Sequence, residues 1–175
     1  MEKYTEALVN IHEEEETQQL TNSMDLYMDS LKKNKIELLD NLRISPNSIG
    51  IAPQNKKNDE NNTKEGKSKE GKLLKYCLIQ MARQSLAILS QLKNVSTESI
   101  IVSNAQLFEK KNTDYGNSFV DFGLIGIIVR LNDKINRILN LGGSTNTDTI
   151  MQVDEKIEDT INDLYNYCII GLMYT

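Results

Sequence analysis

Proline occurs at only two positions of this 175-residue chain, Pro46 and Pro53, and both lie in one polar segment. Since proline breaks the interior of a helix, the long stretches on either side of this segment are free to form uninterrupted helices. Residues 44–71, which contain both prolines, are rich in Asn, Lys and Gly and poor in apolar side chains. Such a composition buries too little apolar surface to offset the entropy lost on ordering. We therefore predict a long flexible loop or linker here, which divides the chain into two parts.

Apolar residues recur at steps of three and four along most of the remaining sequence, which places them on one face of a helix. The stretches that follow this pattern are 24–42, 73–92, 100–108, 120–141 and 153–173. The β-branched residues in 100–102 also allow a short strand. Gly142 is predicted to end the 120–141 helix in the left-handed C-cap conformation. The pattern as a whole predicts an all-α helical bundle.

The division of the chain follows from the position of the loop. We predict an N-terminal helical arm at 1–43, the flexible linker at 44–71 and a helical core at 72–175. Apolar helix faces in so short a chain also predict a homo-oligomer, because small bundles often bury their remaining apolar surface against a second copy.

Composition excludes several classes of site. His12 is the single histidine, and Cys77 and Cys168 are the two cysteines, so multi-histidine and zinc–cysteine centres are excluded and catalysis falls to Asp and Glu. Both cysteines lie in apolar segments and are predicted to be reduced core residues. The net charge of −5 disfavours nonspecific binding to duplex DNA. Without a signal peptide or a membrane-length apolar run, the chain is predicted to be cytoplasmic and to have no membrane partner.

One side of the 120–141 helix carries charged residues at successive turns, namely Arg130, Asp133, Lys134 and Arg137. Their spacing of i, i+3, i+4 and i+7 puts them on one face. Two interpretations fit this face. It can form ion pairs within and between helices, or it can recognise phosphate through the planar Arg fork and the Lys ammonium.

The last helix carries two polar ladders with a spacing of four residues. The first is made of carboxylates and the second, beside it, ends in two amides: Glu155, Asp159 and Asp163, and Glu158, Asn162 and Asn166. Like charges at i, i+4 repel each other, so we expect a cation to face the carboxylates. The cation is either the basic stripe of the preceding helix or Mg²⁺, which prefers carboxylate and phosphate oxygens.

The string KNTDYG contains Lys111, Asp114, Tyr115 and Gly116, and its Asn, Asp and Gly content predicts a turn. Gly116 lets the backbone approach a ligand closely, and Tyr115 offers a ring face to a base. Lys111 or Asp114 can hold polar groups of the same ligand. The alternative is an Asx-type turn whose tyrosine packs on the bundle.

The strings KKNTDYGNSFVDFGLIGIIVRLNDKINRILNL and VDEKIEDTINDLYNYCIIGLM resemble the nucleotide-modification-associated domain, an all-helical family found largely in bacteriophages and bacteria. The resemblance rests on an N-x-DYG turn, a helix with G-x-x-V-R-x-x-DK-x-x-R-x-x-NL and a last helix with E-D-T-x-x-DL-x-NY. It covers about residues 105–174. It implies work on nucleotides, alongside enzymes that make or handle modified bases.

A more distant similarity links the chain to the all-helical nucleoside triphosphate pyrophosphohydrolases of the MazG and dimeric dUTPase type. Those enzymes hold Mg²⁺ over a triphosphate with Glu and Asp from neighbouring helices. The acidic run Glu13–Glu16 lacks the last glutamate of their E-E-x-x-E string. Asp159 and Asp163 are four residues apart, whereas the two acids of E-x-x-D are three apart.

These patterns predict a magnesium-dependent nucleotide-binding protein that hydrolyses a (deoxy)nucleoside triphosphate or a modified nucleotide. The residues assigned to phosphate and base are Lys111, Asp114, Tyr115, Arg130, Lys134 and Arg137. Those assigned to the metal are Glu155, Glu158, Asp159 and Asp163, and the catalytic candidates are Asp133, Asp159 and Asp163. Two alternatives stay open: a non-catalytic binder, such as a nucleotide sponge or an accessory subunit of a base-modification system, and a helical interaction protein.

Overall fold

The computed structural model describes residues 2–13, 23–44, 63–115, 119–142 and 156–175. Its helices are α1 (Glu2–Glu13), α2 (Met24–Ile44), α3 (Thr63–Lys93), α4 (Thr97–Tyr115), α5 (Phe119–Gly142) and α6 (Ile157–Leu172). All regular secondary structure in these ranges is helical, which confirms the predicted all-α bundle. None of the described helices combines the length and the apolar character needed to cross a membrane.

Helices α2 and α3 pack antiparallel. The Tyr27 hydroxyl lies 2.7 Å from Ser85 Oγ, and the Cys77 thiol donates to the backbone oxygen of Asn34 at 3.5 Å. A later residue of α2 therefore contacts an earlier residue of α3, as expected for helices that run in opposite directions. Apolar side chains fill the space between them, and each fully buried aliphatic side chain stabilises the fold by about 1.5–3 kcal/mol.

Helices α5 and α6 also pack antiparallel, because Ile127 lies against Gly171 while Lys134 pairs with Asp163. Gly171 permits this close packing: a Cβ atom there would lie 3.1 Å from a methyl group of Leu78 on α3 and 3.5 Å from Ile127 on α5. Helix α6 thus fits tightly between α3 and α5. Together α2, α3, α6 and α5 form a four-helix bundle.

All six helices contribute side chains to one buried core, including Tyr4, Leu31, Leu78, Ile100, Leu131 and Leu164. Helices α1 and α4 lie outside the four-helix bundle and cover α6 and α3. Both cysteines are free and buried in this core, as predicted. Burial raises the pKa of the Cys77 thiol to about 12, so it stays protonated at neutral pH.

The junction between α3 and α4 is set by Asn94, which adopts a left-handed φ of 51° just after α3 ends. Its N–H donates to the backbone oxygen of Gln91, and the N–H of Val95 donates to that of Ser90, both at 3.2 Å. This is the Schellman pattern that satisfies the last carbonyl groups of a helix. Ser96 then caps α4, because its Oγ accepts the N–H of Ser99 at 3.2 Å. The turn directs α4 back across the bundle toward α6.

Two predicted boundaries are wrong. Helix α3 begins at Thr63, inside the segment 44–71 that was predicted to be a loop, and residues 45–62 lie outside the described part. Lys and Glu are good helix formers, so a polar sequence can extend an apolar helix that is already anchored by packing. Helix α4 runs to Tyr115, so Asn112–Tyr115 is helical rather than a turn. The possible strand at 100–102 is helical as well.

Glycines shape α5 at two points. Gly123 has φ 53° and ψ −145°, which places a kink near the start of the helix. Gly142 is the last residue of α5 without a positive φ, so the predicted left-handed C-cap is wrong. A Cβ atom at this position would overlap the sulfur of Met28 on α2, so a larger residue would require the Met28 side chain to move.

Candidate functional site

The basic stripe of α5 and the carboxylate ladder of α6 meet in an ion pair. Lys134 Nζ lies 2.7 Å from Asp163 Oδ2, and the two side chains are 21% and 34% exposed. The expected contact between the two faces is therefore present. Partial burial reduces solvent screening, so this pair interacts more strongly than a fully exposed one.

The other predicted acids do not gather into a described metal centre. Asp133 and Asp159 are exposed and Glu158 is half-buried, while Glu155 lies outside the described residues. Within the described ranges, no three Asp, Glu, His or Cys side chains are close enough together to hold a metal ion. The predicted magnesium site stays a prediction.

The residues predicted to bind phosphate or base differ in their exposure and in the helix to which they belong. On α5, Arg130 is exposed and Arg137 is half-buried. Lys111 is exposed in the last turns of α4. The backbone of Asp114 and Tyr115 is helical, but their side chains, like Gly116, lie outside the described part. Of the predicted phosphate and base contacts whose side chains the structure describes, Lys134 pairs directly with Asp163 of the α6 ladder, and Lys111 lines a pocket that Asp163 also borders.

Lys111 borders a pocket of about 120 Å³ between α4 and α6. The pocket combines apolar and aromatic walls with a few polar groups, and its lining residues are Leu107, Phe108, Lys111, Asn112, Asp163, Asn166, Tyr167 and Ile170. Concave, largely apolar sites with a few convergent polar groups are typical of small-molecule binding. Asp163 joins this pocket to the ion pair with Lys134.

Next to the pocket, the buried Asn104 and the half-buried Asn162 and Asn166 form an amide cluster that joins α4 to α6. Asn104 and Asn162 exchange two side-chain hydrogen bonds of 2.9 Å. Asn166 donates from Nδ2 to Asn104 Oδ1 at 2.7 Å and to the backbone oxygen of Asn162 at 3.1 Å. Because buried amides are costly unless paired, this cluster fixes how α4 lies on α6.

Tyr4 of α1 closes the amide cluster from the other side. Its ring stacks on Phe108 with centroids 4.2 Å apart, and its hydroxyl lies 3.5 Å from Asn166 Oδ1. Burial raises the pKa of Tyr4 to about 12, so the phenol is protonated and can donate at neutral pH. Helix α1 therefore supports Phe108, one wall of the pocket.

Sequence reasoning missed most of the α4 side of this pocket. Asn162 and Asn166 were visible as a ladder on the last helix, but nothing in the sequence indicated that Asn104 pairs with them. Phe108 and Leu107 were assigned to an apolar helix face, without a role in a site. The usable signal was the position of Asn104, four residues after Ile100 and four before Phe108, which puts an asparagine on the apolar face of that helix.

Comparison with known families bears on this same region. Residues 111–174 match the family model for nucleotide modification associated domain 1. The match confirms the resemblance predicted from the motifs and its C-terminal placement. The matched domain covers the end of α4, all of α5 and all of α6, and its family name associates it with nucleotide modification. Neither the curated proteins nor the solved structures gave a match.

A second pocket, of about 110 Å³, lies between α2 and α3, outside the matched domain. Its lining is polar and includes Lys33, Asn34, Glu37 and Gln80. Gln84 also lines it, and Gln84 Oε1 is buried without a hydrogen-bond partner among the described residues. None of the predicted site residues borders this second pocket.

Proposed function

We propose that the chain binds a nucleotide in the pocket between α4 and α6. The observation that carries this proposal is the position of the pocket. It is lined by Lys111, Asp163, Asn166 and Tyr167, all of which belong to the domain whose family name refers to nucleotide modification. The described surface thus offers a cation, hydrogen-bonding groups and an aromatic ring at one place.

The size of the pocket favours one part of a nucleotide. Its volume of about 120 Å³ is well below the roughly 300–1,000 Å³ of sites that enclose a drug-sized ligand. One base ring fits such a space, and Phe108 and Tyr167 contribute the aromatic rings of the lining. The sugar and phosphates then lie at the mouth.

Lys111 is suited to the phosphates. Its side chain is exposed at the pocket, and a flexible stem lets its ammonium follow a charged group outside the mouth. Lys134 has a different part in the proposal. Its ammonium is 2.7 Å from Asp163, so it holds that carboxylate in place beside the base.

Magnesium enters the proposal together with the nucleotide. Mg²⁺ usually keeps several waters and binds through one or two carboxylates plus substrate phosphates. Asp159 and Asp163 are the α6 carboxylates that fit this requirement, since they are one turn apart and Asp163 borders the pocket. When bound, the ion would neutralise phosphate charge and could orient a water for hydrolysis.

The test is calorimetric titration of the full chain with the deoxynucleoside mono- and triphosphates, with and without Mg²⁺. We expect binding of at least one nucleotide. Lys111→Ala should weaken it by about tenfold, as expected for the loss of a charge-assisted hydrogen bond. Lys110→Ala is the matched control: it removes an exposed lysine of the same helix that does not line the pocket, and should leave the affinity within about twofold. Equal effects of the two variants, or no binding, would refute the proposal.

The same samples distinguish hydrolysis from binding alone. Release of pyrophosphate or phosphate that requires Mg²⁺ and is lost in Asp163→Asn would support a hydrolase. Binding without release would favour the non-catalytic binder, either a nucleotide sponge or an accessory subunit. Both outcomes keep the α4–α6 pocket as the binding site.

A further inference from the structure

We infer that the α4–α6 pocket selects bases that carry an exocyclic amino group, because α6 presents hydrogen-bond acceptors to it. The inference rests on the proposed nucleotide binding and adds the class of base. It follows from the way in which the amide cluster orients Asn166 and the ion pair orients Asp163.

Asn166 lines the pocket, and both of its amide hydrogens are already used. One is donated to Asn104 Oδ1 at 2.7 Å and the other to the backbone oxygen of Asn162 at 3.1 Å. Its Oδ1 receives only a long contact, 3.5 Å, from the hydroxyl of Tyr4. An amide oxygen has two lone pairs, so Asn166 keeps the capacity to accept a hydrogen bond and has none left to donate.

The neighbouring groups prevent Asn166 from turning its amide around. Asn104 Nδ2 donates to the backbone oxygen of Ile100 at 3.0 Å and to Asn162 Oδ1 at 2.9 Å, so Asn104 can offer only its oxygen to Asn166. The other partner of Asn166 is a backbone oxygen. A flipped Asn166 would place its own oxygen against two acceptors, which leaves Asn104 Oδ1 and the backbone oxygen of Asn162 without this donor.

Asp163 provides a second acceptor beside Asn166. The two residues are three positions apart on α6, which makes them neighbours on its surface. Asp163 Oδ2 is held by Lys134 at 2.7 Å, and an ionised carboxylate only accepts hydrogen bonds. The α6 wall of the pocket therefore carries two adjacent acceptors.

The other polar groups that line the pocket do not change this excess of hydrogen-bond acceptors on the α6 wall. Asn112 is a carboxamide that offers both a donor and an acceptor, and the hydroxyl of Tyr167 can do either. Lys111 is a donor, but it is exposed on the α4 side, where the proposal assigns it to phosphate. Discrimination between bases is thus set by Asn166 and Asp163.

This polarity separates the common bases. Cytosine, adenine and guanine each carry an amino group with two hydrogens that can donate to the two α6 acceptors, whereas thymine carries the oxygen O4 in that position and a single N3–H donor. Two adjacent acceptors therefore match an amino group better than they match thymine, because the oxygens that flank its one donor also face them. A site that hydrogen-bonds a polar group of its ligand strongly rejects an analogue without that group. An apolar pocket discriminates less strongly between ligands that differ only in size.

The test compares nucleotides that differ only in the amino group, titrated into the full chain. The pairs are dGMP with dIMP, and dCMP with the analogue that has hydrogen at C4; dTMP is added as the oxygen-bearing base. We expect the amino member of each pair to bind about tenfold more tightly, and dTMP to bind no better than the analogues without the amino group. Equal affinities within the pairs, or preference for dTMP, would overturn this inference and leave nucleotide binding intact. No binding of any nucleotide would overturn both.

Two variants test whether Asn166 is the acceptor that causes the preference for bases with an amino group. Asn166→Ala should reduce the dGMP/dIMP affinity ratio to within about twofold, because it removes the acceptor from the wall. Gln106→Ala is the matched control. It removes an exposed carboxamide of α4 that neither lines the pocket nor belongs to the amide cluster, so the ratio should persist. Circular dichroism verifies the fold of each variant, and a ratio unchanged in folded Asn166→Ala would overturn the assignment.

Discussion

Asn104 is the residue on which the packing of α4 depends. It is 2% exposed, yet its side chain takes part in four hydrogen bonds, with Ile100, Asn162 and Asn166. A buried amide whose hydrogen bonds are all made contributes little net stability. When it is removed, however, the groups that it paired with stay inside the protein without a hydrogen-bond partner, which is costly. The cost of losing Asn104 is therefore larger than that of losing an ordinary hydrogen bond.

Asn104→Ala should lower the free energy of unfolding by about 2–3 kcal/mol, because it removes a fully buried, fully paired amide and leaves the half-buried amides of Asn162 and Asn166 without their partner. Urea denaturation followed by circular dichroism measures this value. Ser103→Ala is the control, since it changes the preceding, exposed residue and should cost within about 0.5 kcal/mol. Equal losses for the two variants would show that the amide cluster does not fix α4.

The charged residues of the site were easier to predict than its amides. Two ladders on adjacent helices, one basic and one acidic, are expected to meet, and the contact between Lys134 and Asp163 bears this out. Asn104 carries no charge and has no periodic partner, so its role depends on how α4 is rotated about its own axis. That rotation follows from packing between distant segments, which the local pattern does not contain.

Among the elements, α5 contains a conformation that only glycine adopts readily. Gly123 has φ 53° and ψ −145°, a combination that gives the kink near the start of the helix. A Cβ atom built there meets no other atom within 4 Å, so the reason for glycine is backbone strain rather than lack of space.

Gly123→Ala should therefore destabilise the protein by about 1–3 kcal/mol, the usual cost of a strained backbone conformation. The measurement is again urea denaturation at neutral pH. Val129→Ala on the same helix is the control: Val129 is 50% exposed, and alanine is the better helix former, so stability should change by less than about 0.5 kcal/mol. A Gly123→Ala variant as stable as the natural chain would contradict the kinked geometry.

The apolar stripes predicted the existence of α2 to α6 but not where they end. Asn112, Thr113 and Asp114 favour turns by less than about 1 kcal/mol each, and the helix continues through them because its earlier residues are already packed. Phe108, stacked on Tyr4, is one such anchor. A prediction from composition therefore ends a helix too early wherever tertiary contacts stabilise its last predicted turn.

At the scale of the whole molecule, the order of the helices in the bundle could not be predicted from the sequence. Periodicity identifies the buried face of each helix but does not say which face it meets. The contact of Gly171 with both Leu78 and Ile127 shows that α6 packs between α3 and α5. This arrangement leaves the other side of α6 for α1 and α4, and thereby creates the pocket.

The same core makes the protein sensitive to alkali. Burial raises the pKa of Cys77 from 9.0 and of Tyr4 from 10.0, in both cases to about 12, and also raises the pKa values of Tyr27, Tyr165 and Cys168. Below about pH 8, these groups are almost fully protonated in both the folded and the unfolded chain, so they do not make stability depend on pH. Above it the unfolded chain loses these protons first, so unfolding releases protons and becomes more favourable as pH rises.

The free energy of unfolding should therefore stay level from pH 7 to 8 and fall between pH 9 and 12, by up to about 1.4 kcal/mol per pH unit for each titrating group. Urea denaturation at a series of pH values measures this slope. Tyr4→Phe keeps the ring that stacks on Phe108 but removes one titrating phenol, so its slope between pH 10 and 12 should be shallower. A constant stability up to pH 12, or an identical slope in Tyr4→Phe, would show that Tyr4 is not held protonated by its burial in the core.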